Sequence, residues 1–247
     1  MISEIVNQCL KKVLLNRDST NKNEPLRYLE VGVHKGDTFK GVNENIEGVS
    51  VIKEGVDPYG SFDDGRVFRM TSQVYFALNE HFWKKKYDVI FLDGMHFSLI
   101  LNQEIEQSLK ILNTDGIIIL DDTIPSYEES GKVEVNSFVN WCKLVSYPLF
   151  NNYSDEGEDN YKYVKEFPGY PHAKGDCWKS VVNLRMSHPE IMVGSFIEGE
   201  RPVTLLSGKG GQLSLSKISE KEINWDFFQK NFNKIFCPIK KVDEMFK

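Results

Sequence analysis

Two short apolar runs, each ending in acidic residues, constrain the fold of this chain most strongly. The first run, Val89–Leu92, ends at Asp93, and the second, Ile117–Leu120, ends at Asp121 and Asp122. Neither run alternates apolar with polar residues, which is typical of strands that are covered on both faces of a parallel sheet. Ligands of open α/β sheets bind beyond the carboxyl ends of the strands, so we expect chemistry where the three aspartates lie.

The residues between these runs have the spacing of a helix. The helix is predicted over residues 99–112, with Leu101, Ile105, Leu109 and Leu112 at helical spacing, and the polar residues 113–116 predict a turn before the second run. The stretch from 87 to 125 is therefore predicted to form a strand–helix–strand unit.

A glycine-bearing turn follows the first predicted strand, residues 26–31. Its glycines are spaced Gly32-x-x-x-Gly36, and Glu30 lies just before the first of them. The dinucleotide fingerprint is spaced G-x-G-x-x-G instead, and a carboxylate at the strand tip would repel a pyrophosphate. The pattern disfavours an NAD-dependent oxidoreductase and favours a ligand with a positively charged amine. A glycine turn without a ligand is the alternative.

Two further strands are predicted before the central stretch. The second lies within residues 49–56 and ends at Asp57, which follows Gly36 by about 20 residues, the offset at which an acid reaches ribose hydroxyls. The third, residues 66–70, is followed by Ser72, whose small polar side chain is predicted to meet an adenine edge. These residues extend the predicted ligand seat along the sheet.

The remaining segments are predicted to belong to one domain, residues 1–247. Residues 1–24 have an apolar face and are predicted to form an amphipathic helical extension. Residues 212–247 are rich in aromatic side chains and are predicted to form a packing or dimerisation segment. Each of these two segments is predicted to pack either on the domain itself or on a second copy of the chain in a homodimer.

Helices, a hairpin and a lid complete the prediction. Helices are expected at 74–83, 133–145 and 177–186, the last of them capped by Asp176. Residues 190–196 and 201–206 predict an antiparallel hairpin at the sheet edge. Residues 146–175 are crowded with aromatic and acidic side chains and predict a lid over the substrate.

Composition argues against several classes of function. The net charge is -6 and the pI is near 5.5, so nothing attracts the chain generally to nucleic-acid phosphates. No apolar run reaches the roughly 18 residues that cross a bilayer, and the four cysteines lack the spacing of a zinc site or redox pair. We therefore expect a cytoplasmic protein with reduced thiols that binds neither nucleic acid nor membrane.

These motifs together resemble the class I S-adenosylmethionine-dependent methyltransferases. The resemblance covers residues 26–126 and rests on Tyr28-Leu29-Glu30-Val31-Gly32, Gly36, Asp57, Phe91-Leu92-Asp93 and Asp121-Asp122. Within that class the chain is most similar to the metal-dependent small-molecule O-methyltransferases, of the catechol type and of the macrolide or aminocoumarin sugar type. The resemblance implies an α/β, Rossmann-like, doubly wound fold whose mostly parallel sheet carries the antiparallel hairpin near the C-terminus.

The same resemblance implies a site. S-adenosylmethionine would lie over the first four strand ends, and a divalent cation, Mg²⁺ before others, would be bound by Asp93, Asp121 and Asp122. The acceptor would be a hydroxyl of a small molecule or saccharide. The implied cofactor-binding residues are Glu30, Gly32, Val33, Gly36, Asp57, Ser72 and Asp93.

The cation is also expected on electrostatic grounds. Three carboxylates at neighbouring strand ends repel one another and raise each other's pKa unless a cation neutralises them. Oxygen ligands alone indicate a hard ion, Mg²⁺ first, with Mn²⁺ or Ca²⁺ as alternatives. In the alternative without a metal, one of the paired aspartates caps the next helix or accepts from loop amides.

His96 and Asp93 are the predicted catalytic residues. An unperturbed histidine, with a pKa of about 6.5, suits removal of the acceptor's proton at neutral pH. Sugar-type relatives place a second acid where this chain has Met95, so His96 is predicted as the base, with His172 in the lid as the reserve candidate. A hydrogen-bonded structural histidine is the alternative for His96.

Three rival functions are open. A metal-independent methyltransferase of the same fold and a non-catalytic protein that binds S-adenosylmethionine or another ligand would both use the seat. A nucleic-acid methyltransferase is disfavoured, because the fourth strand ends in Leu92-Asp93-Gly94-Met95-His96 and lacks Asn/Asp-Pro-Pro-Tyr. Cys237 also precedes a proline, the reverse of the Pro-Cys order of a cytosine-modifying nucleophile.

Overall fold

The computed structural model describes residues 2–62, 64–125, 176–198, 201–208, 215 and 218–246. Its strands are β1 (Leu26–Val31), β2 (Asn45–Ile46), β3 (Val49–Val56), β4 (Val67–Phe68), β5 (Tyr87–Leu92), β6 (Leu112–Leu120), β7 (Met192–Phe196) and β8 (Val203–Ser207). Its α-helices are α1 (Ile2–Asn16), α2 (Asp37–Gly41), α3 (Ser72–Leu78), α4 (Ser98–Ile111), α5 (Trp178–Ser187) and α6 (Trp225–Phe236). A π-helical turn at Asn79–Trp83 continues α3, and short 3₁₀ turns lie at Glu220–Glu222 and Val242–Phe246.

The strands form one sheet in the order β2-β3-β1-β5-β6-β8-β7, with β4 also paired to β3. The pairs that join β1, β3, β4, β5 and β6 are parallel, whereas β8 runs antiparallel to both of its neighbours. The chain moves outward from β1 to β3 and β4, then returns at β5 to the other side of β1. The sheet confirms the predicted Rossmann-like fold with its antiparallel hairpin, and the strand order reverses between β1 and β5, where such sheets bind ligands.

Both faces of the sheet are covered, which explains the uninterrupted apolar runs of its central strands. Alternate side chains of β5 and β6 fall into two buried clusters: Ile90 and Ile118 pack with residues of α4 and α5, and Val89 and Ile117 with residues of α1. The apolar face of α1 therefore packs on its own domain, which is one of the two roles predicted for the N-terminal helix.

The turn predicted at 113–116 is wrong, because these residues belong to β6. Leu112 pairs with Tyr87 of β5, and the Asn113 side-chain Nδ2 donates to Asp88 Oδ1 at 2.9 Å. A polar stretch is thus held in the sheet by partners that are distant in sequence. The third strand is also shorter than predicted, since only Val67–Phe68 pairs with β3.

Asp176 does not cap α5 as its sequence position suggests. The residue at the N-cap is Cys177, and the Asp176 carboxylate instead accepts from the backbone N–H and the hydroxyl of Ser98, both at 2.8 Å. Ser98 begins α4, so this buried carboxylate satisfies an N-terminal amide of one helix from the start of another. Local spacing reveals a cap only within its own helix, which is why the prediction failed.

Some predicted segments lie outside the described residues, namely the helix at 133–145 and the lid at 146–175 with His172. Among the helices that the structure does describe, none has the length and apolar character needed to cross a bilayer. Cys9, Cys177 and Cys237 are free thiols.

Candidate functional site

The turn after β1 lies in backbone contact with the end of β5. Gly32 has a φ of 89°, and a Cβ built there would lie 1.9 Å from the carbonyl oxygen of Asp93. The Asp93 N–H in turn donates to the Val31 carbonyl at 2.8 Å. Only glycine leaves room for the two backbones to come this close. The end of β1, on the predicted cofactor side, and the end of β5, on the predicted acceptor side, are therefore held in a fixed position relative to each other.

Asp57 ties the turn after β3 to the turn after β1. Its Oδ2 accepts from the His34 N–H at 2.8 Å, and its Oδ1 accepts from the N–H groups of Tyr59, at 2.8 Å, and Gly60. Three bonds use about three of the four acceptor positions of a carboxylate. Asp57 therefore holds together the two turns that form the predicted cofactor site. The ribose contact predicted for it stays a prediction.

Val33 and Gly36 shape the same turn. The Gly36 N–H donates to the Val33 carbonyl at 2.8 Å, which closes the turn that leads into α2. Gly36 has a φ of 77°, and a Cβ there would lie 2.5 Å from the ring of Phe62. The identity of Gly36 thus has a packing reason, and the predicted contact of both residues with a cofactor stays a prediction.

Glu30 is buried beneath α2. Its carboxylate accepts from the Tyr28 hydroxyl at 2.6 Å and from the Phe39 backbone N–H, and burial raises its pKa to about 8. An acid held in this way favours its protonated form unless a positive charge is bound nearby. The predicted contact with a ligand amine is consistent with this demand for a positive charge.

We expect Glu30→Gln to stabilise the protein in alkaline solution. The pKa of Glu30 rises from 4.5 to about 8 on folding, so the folded state holds a proton that the unfolded state releases, and stability falls as the pH rises between those values. The variant should be more stable than the wild type by about 5 kcal/mol near pH 9, and by less than about 1 kcal/mol near pH 5. Urea unfolding at both pH values measures this difference.

The exposed Glu24→Gln is the matched control and should leave the pH dependence unchanged. Equal stability of wild type and Glu30→Gln at both pH values would contradict the burial of an ionisable Glu30.

Ser72 lies at the start of α3 and contacts a buried acid that the sequence analysis missed. Its hydroxyl donates to Glu104 Oε1 at 2.6 Å, and Glu104 is only 3% exposed. Glu104 lies in α4 next to Ile105, on the helix face that packs on the sheet. A charged residue within an apolar stripe was the signal that could have identified it.

His96 brings the acids after β5 and β6 together. Its Nε2 lies 2.7 Å from Asp122 Oδ2 and 4.0 Å from Asp93 Oδ1, and ligand atoms of the three residues lie within 4.8 Å of one another. Asp122 has a φ of 53°, in the left-handed region that aspartate tolerates better than most residues. The positive φ belongs to the turn from which the Asp122 carboxylate reaches His96.

Asp121 faces Arg201, a residue that the sequence analysis also missed. The Arg201 Nη2 lies 2.5 Å from Asp121 Oδ2 and 3.5 Å from Asp93 Oδ2. Asp121 Oδ1 accepts from the Asp122 N–H at 2.9 Å. The predicted ligand set of Asp93, Asp121 and Asp122 stays a prediction, whereas the described geometry groups Asp93 and Asp122 with His96.

The cluster carries an excess of negative charge. Burial, followed by the charges of Asp121 and Asp122, raises the pKa of Asp93 well above its ordinary value. Burial, followed by Asp122, also raises the pKa of Asp121. Arg201 and His96 offset these effects in part, so the cluster attracts further positive charge.

No protein-family model matches the sequence, and no curated protein does. The fold of this chain is similar to that of several solved structures. An O-methyltransferase from Bacillus cereus in complex with S-adenosylhomocysteine aligns at 10% identity and a TM-score of 0.41, over 83% of this chain and 87% of its own. A methyltransferase from Podospora anserina, bound to the same molecule, aligns at 16% identity and a TM-score of 0.43, over 81% and 77%.

A methyltransferase from the mycinamycin biosynthetic pathway, in complex with Mg, S-adenosylhomocysteine and mycinamycin VI, aligns at 12% identity and a TM-score of 0.41, over 81% of this chain and 49% of its own. Similarities of this size do not transfer an activity. The function of this chain is therefore inferred from the residues of its own site.

Proposed function

We propose that the chain is an S-adenosylmethionine-dependent O-methyltransferase that acts on a hydroxyl of a small molecule or saccharide. One observation carries the proposal. At the point where the strand order reverses, the turn closed by Gly32 and Asp57 adjoins a group of Asp93, His96 and Asp122 suited to proton removal or to a cation.

The chain would hold the cofactor along the ends of β1, β3 and β5. S-adenosylmethionine, when bound, supplies a methyl group on a positively charged sulfur. Asp57 fixes the two turns that would receive the ribose, and the hydroxyl of Ser72, whose hydrogen is given to Glu104, presents acceptor lone pairs. Glu30, Gly32, Val33, Gly36 and Asp93 complete the predicted seat.

His96 is the proposed base. A neutral imidazole has one N–H and one basic nitrogen, and a bond from the Nε2–H to Asp122 leaves Nδ1 as the basic one. Asp122 then orients the ring and stabilises the imidazolium that forms when His96 takes the proton of the acceptor hydroxyl. The His96 side chain is 34% exposed, so an acceptor can approach it.

A divalent cation fits the donor set of Asp93, His96 and Asp122. These residues would hold it, and a cation there supplies charge that neutralises the carboxylates and acidifies an acceptor hydroxyl. Two carboxylates with one imidazole suit Mn²⁺ or a related transition ion better than Mg²⁺, which prefers oxygen ligands. His96 cannot bind a cation and accept a proton through the same nitrogen, so the two roles are experimentally separable.

We expect Mn²⁺ to bind this group. Asp122→Asn should weaken binding by about tenfold or more, because a charged ligand that also contacts His96 is lost. Electron paramagnetic resonance of free Mn²⁺ measures the affinity, and the exposed Asp226→Asn in α6 serves as the control. Equal affinity of the wild type and Asp122→Asn would exclude a metal site at this group.

A metal-independent methyltransferase is the second candidate, and Arg201 favours it. Its guanidinium already contacts Asp121 and approaches Asp93, so part of the charge expected from a cation is supplied by the chain. Turnover that survives exhaustive EDTA treatment would establish this candidate. Turnover that is lost with EDTA and restored by Mn²⁺ would establish the metal-dependent one.

Calorimetry with S-adenosylhomocysteine tests the proposed function. We expect one site per chain in the micromolar range typical of small-molecule ligands, weaker binding by Asp57→Asn, and no binding of NAD. Asp57→Asn keeps the size of the side chain but removes its charge and one backbone acceptor. Absence of S-adenosylhomocysteine binding by the folded wild type would overturn the proposal.

A further inference from the structure

Glu104 reaches the carboxyl edge of the sheet from within α4. A Cβ built at Gly94, in the loop after β5, would lie 3.4 Å from Glu104 Oε1 and 3.7 Å from Oε2. It would also lie 3.4 Å from a side-chain carbon of Val31, at the end of β1. The carboxylate therefore borders the crevice between β1 and β5, where the proposed function seats its cofactor.

One oxygen of the Glu104 carboxylate accepts a hydrogen bond, and the other does not. Oε1 accepts from the Ser72 hydroxyl at 2.6 Å, whereas Oε2 is buried and has no hydrogen-bond partner among the described residues. Buried acceptors are nearly always satisfied in folded proteins, so an orphaned one indicates a missing donor. The donor must come from the crevice or from a water.

The hydrogen-bonding roles define the chemistry of that donor. Because the Ser72 hydroxyl gives its hydrogen to Glu104, its oxygen can only accept from a ligand. Glu104 Oε2, when ionised, can only accept as well. Two neighbouring acceptors are complementary to an amino group, which carries two hydrogens, and are repelled by a carbonyl oxygen.

We propose that Glu104 and Ser72 together recognise the 6-amino group of the cofactor's adenine. The proposal rests on the proposed function and adds to it a residue that selects the base. Glu104 is thus a specificity-determining residue, and a 6-oxo purine would place its carbonyl oxygen against both acceptors.

Ionisation of Glu104 sets the conditions of the test. Burial raises the pKa of Glu104 to about 7, so measurements at about pH 8.5 examine the ionised carboxylate. Under these conditions Glu104 has no hydrogen to donate to a 6-oxo purine.

Calorimetry with S-adenosylhomocysteine and S-inosylhomocysteine tests the proposal, since the two differ only in the purine, where the 6-amino group and unprotonated N1 of adenine become a 6-oxo group and an N1–H. We expect the wild type to prefer the 6-amino compound by about tenfold or more, the order expected when buried polar groups lose their partners. In Glu104→Gln an amide N–H₂ can replace an acceptor, so the preference should fall within about threefold or reverse. Ser72→Ala should also reduce it.

Ser108→Ala is the matched control. Ser108 lies one turn further along the same buried face of α4, and its hydroxyl likewise has no partner among the described residues. Its removal should leave the preference unchanged. A preference reduced as much by Ser108→Ala as by Glu104→Gln would mean that the loss reflects altered packing of α4 and not a contact between Glu104 and adenine, and it would overturn the proposal.

Two further outcomes separate the claims. If the wild type binds both compounds equally, or if folded Glu104→Gln keeps the wild-type ratio, adenine recognition by Glu104 is wrong and the proposed function stands. If Glu104→Gln does not fold, as judged by circular dichroism, an unchanged ratio in Ser72→Ala overturns the proposal. If the wild type binds neither compound, the proposed function itself fails.

Discussion

Gly32→Ala is expected to lower the free energy of unfolding by about 4 kcal/mol or more and to abolish binding of S-adenosylhomocysteine. Two costs combine. A side chain at a φ of 89° is strained, and the new methyl group would lie 1.9 Å from the Asp93 carbonyl oxygen. Relief of this clash requires β5 to move away from β1, which opens the crevice at its centre. Urea unfolding and calorimetry measure the two effects.

Gly48→Ala is a matched control for backbone strain. Gly48 has a φ of 91°, but a Cβ there meets no heavy atom within 4 Å, because it lies in the tight turn between β2 and β3. Gly48→Ala should lower the free energy of unfolding only by the backbone strain, about 1–2 kcal/mol, and leave ligand binding intact. Equal losses in the two variants would show that the approach of Asp93 to Gly32 contributes nothing.

His96→Ala is expected to lower kcat by about 10²–10⁴-fold, the range that general bases contribute, while the affinity for S-adenosylhomocysteine changes by less than about twofold. His96 lies between the acids after β5 and β6, on the acceptor side of the proposed cofactor seat, and is not one of the residues proposed to hold the cofactor. Release of S-adenosylhomocysteine measures the rate, with an acceptor identified from a panel of catechols and saccharides that carry vicinal hydroxyls. The exposed His81→Ala is the control.

The pH profile and the metal dependence distinguish the two roles of His96. As a base it must be neutral, so the wild-type rate falls on acidification and the variant loses that dependence. As a metal ligand it would be replaced in part by excess Mn²⁺, which would restore much of the rate of His96→Ala. An unchanged rate in His96→Ala would exclude both roles.

The fold could be predicted from the sequence because its signals are local. The runs Val89–Leu92 and Ile117–Leu120 are apolar without alternation, and the strands they predict are covered on both faces. The Gly32 turn and the carboxylates after the strands likewise lie where parallel topology must bring them. Failures occur where a residue is fixed from a distance, as Asn113 is by Asp88 and Asp176 by Ser98.

The site could be predicted only in part, for the same reason. Asp93, His96 and Asp122 follow neighbouring strands, so their meeting could be expected from sequence and is observed. Arg201 comes from the hairpin near the C-terminus, and no spacing along the chain indicates that it would reach Asp121. Glu104 lies in α4, a helix that the apolar spacing predicts, but helical spacing does not indicate which residue of the helix contacts Ser72.

The central claim is that S-adenosylmethionine is seated along β1, β3 and β5 with its reacting end toward Asp93 and His96. A crystal structure of the protein with S-adenosylhomocysteine tests it most directly. We predict density over the ends of these strands, with the adenine beside Ser72 and Glu104, the ribose at Asp57 and the sulfur facing the Asp93–His96–Asp122 group. Density at another place, or the reverse orientation with the adenine at His96, would contradict it.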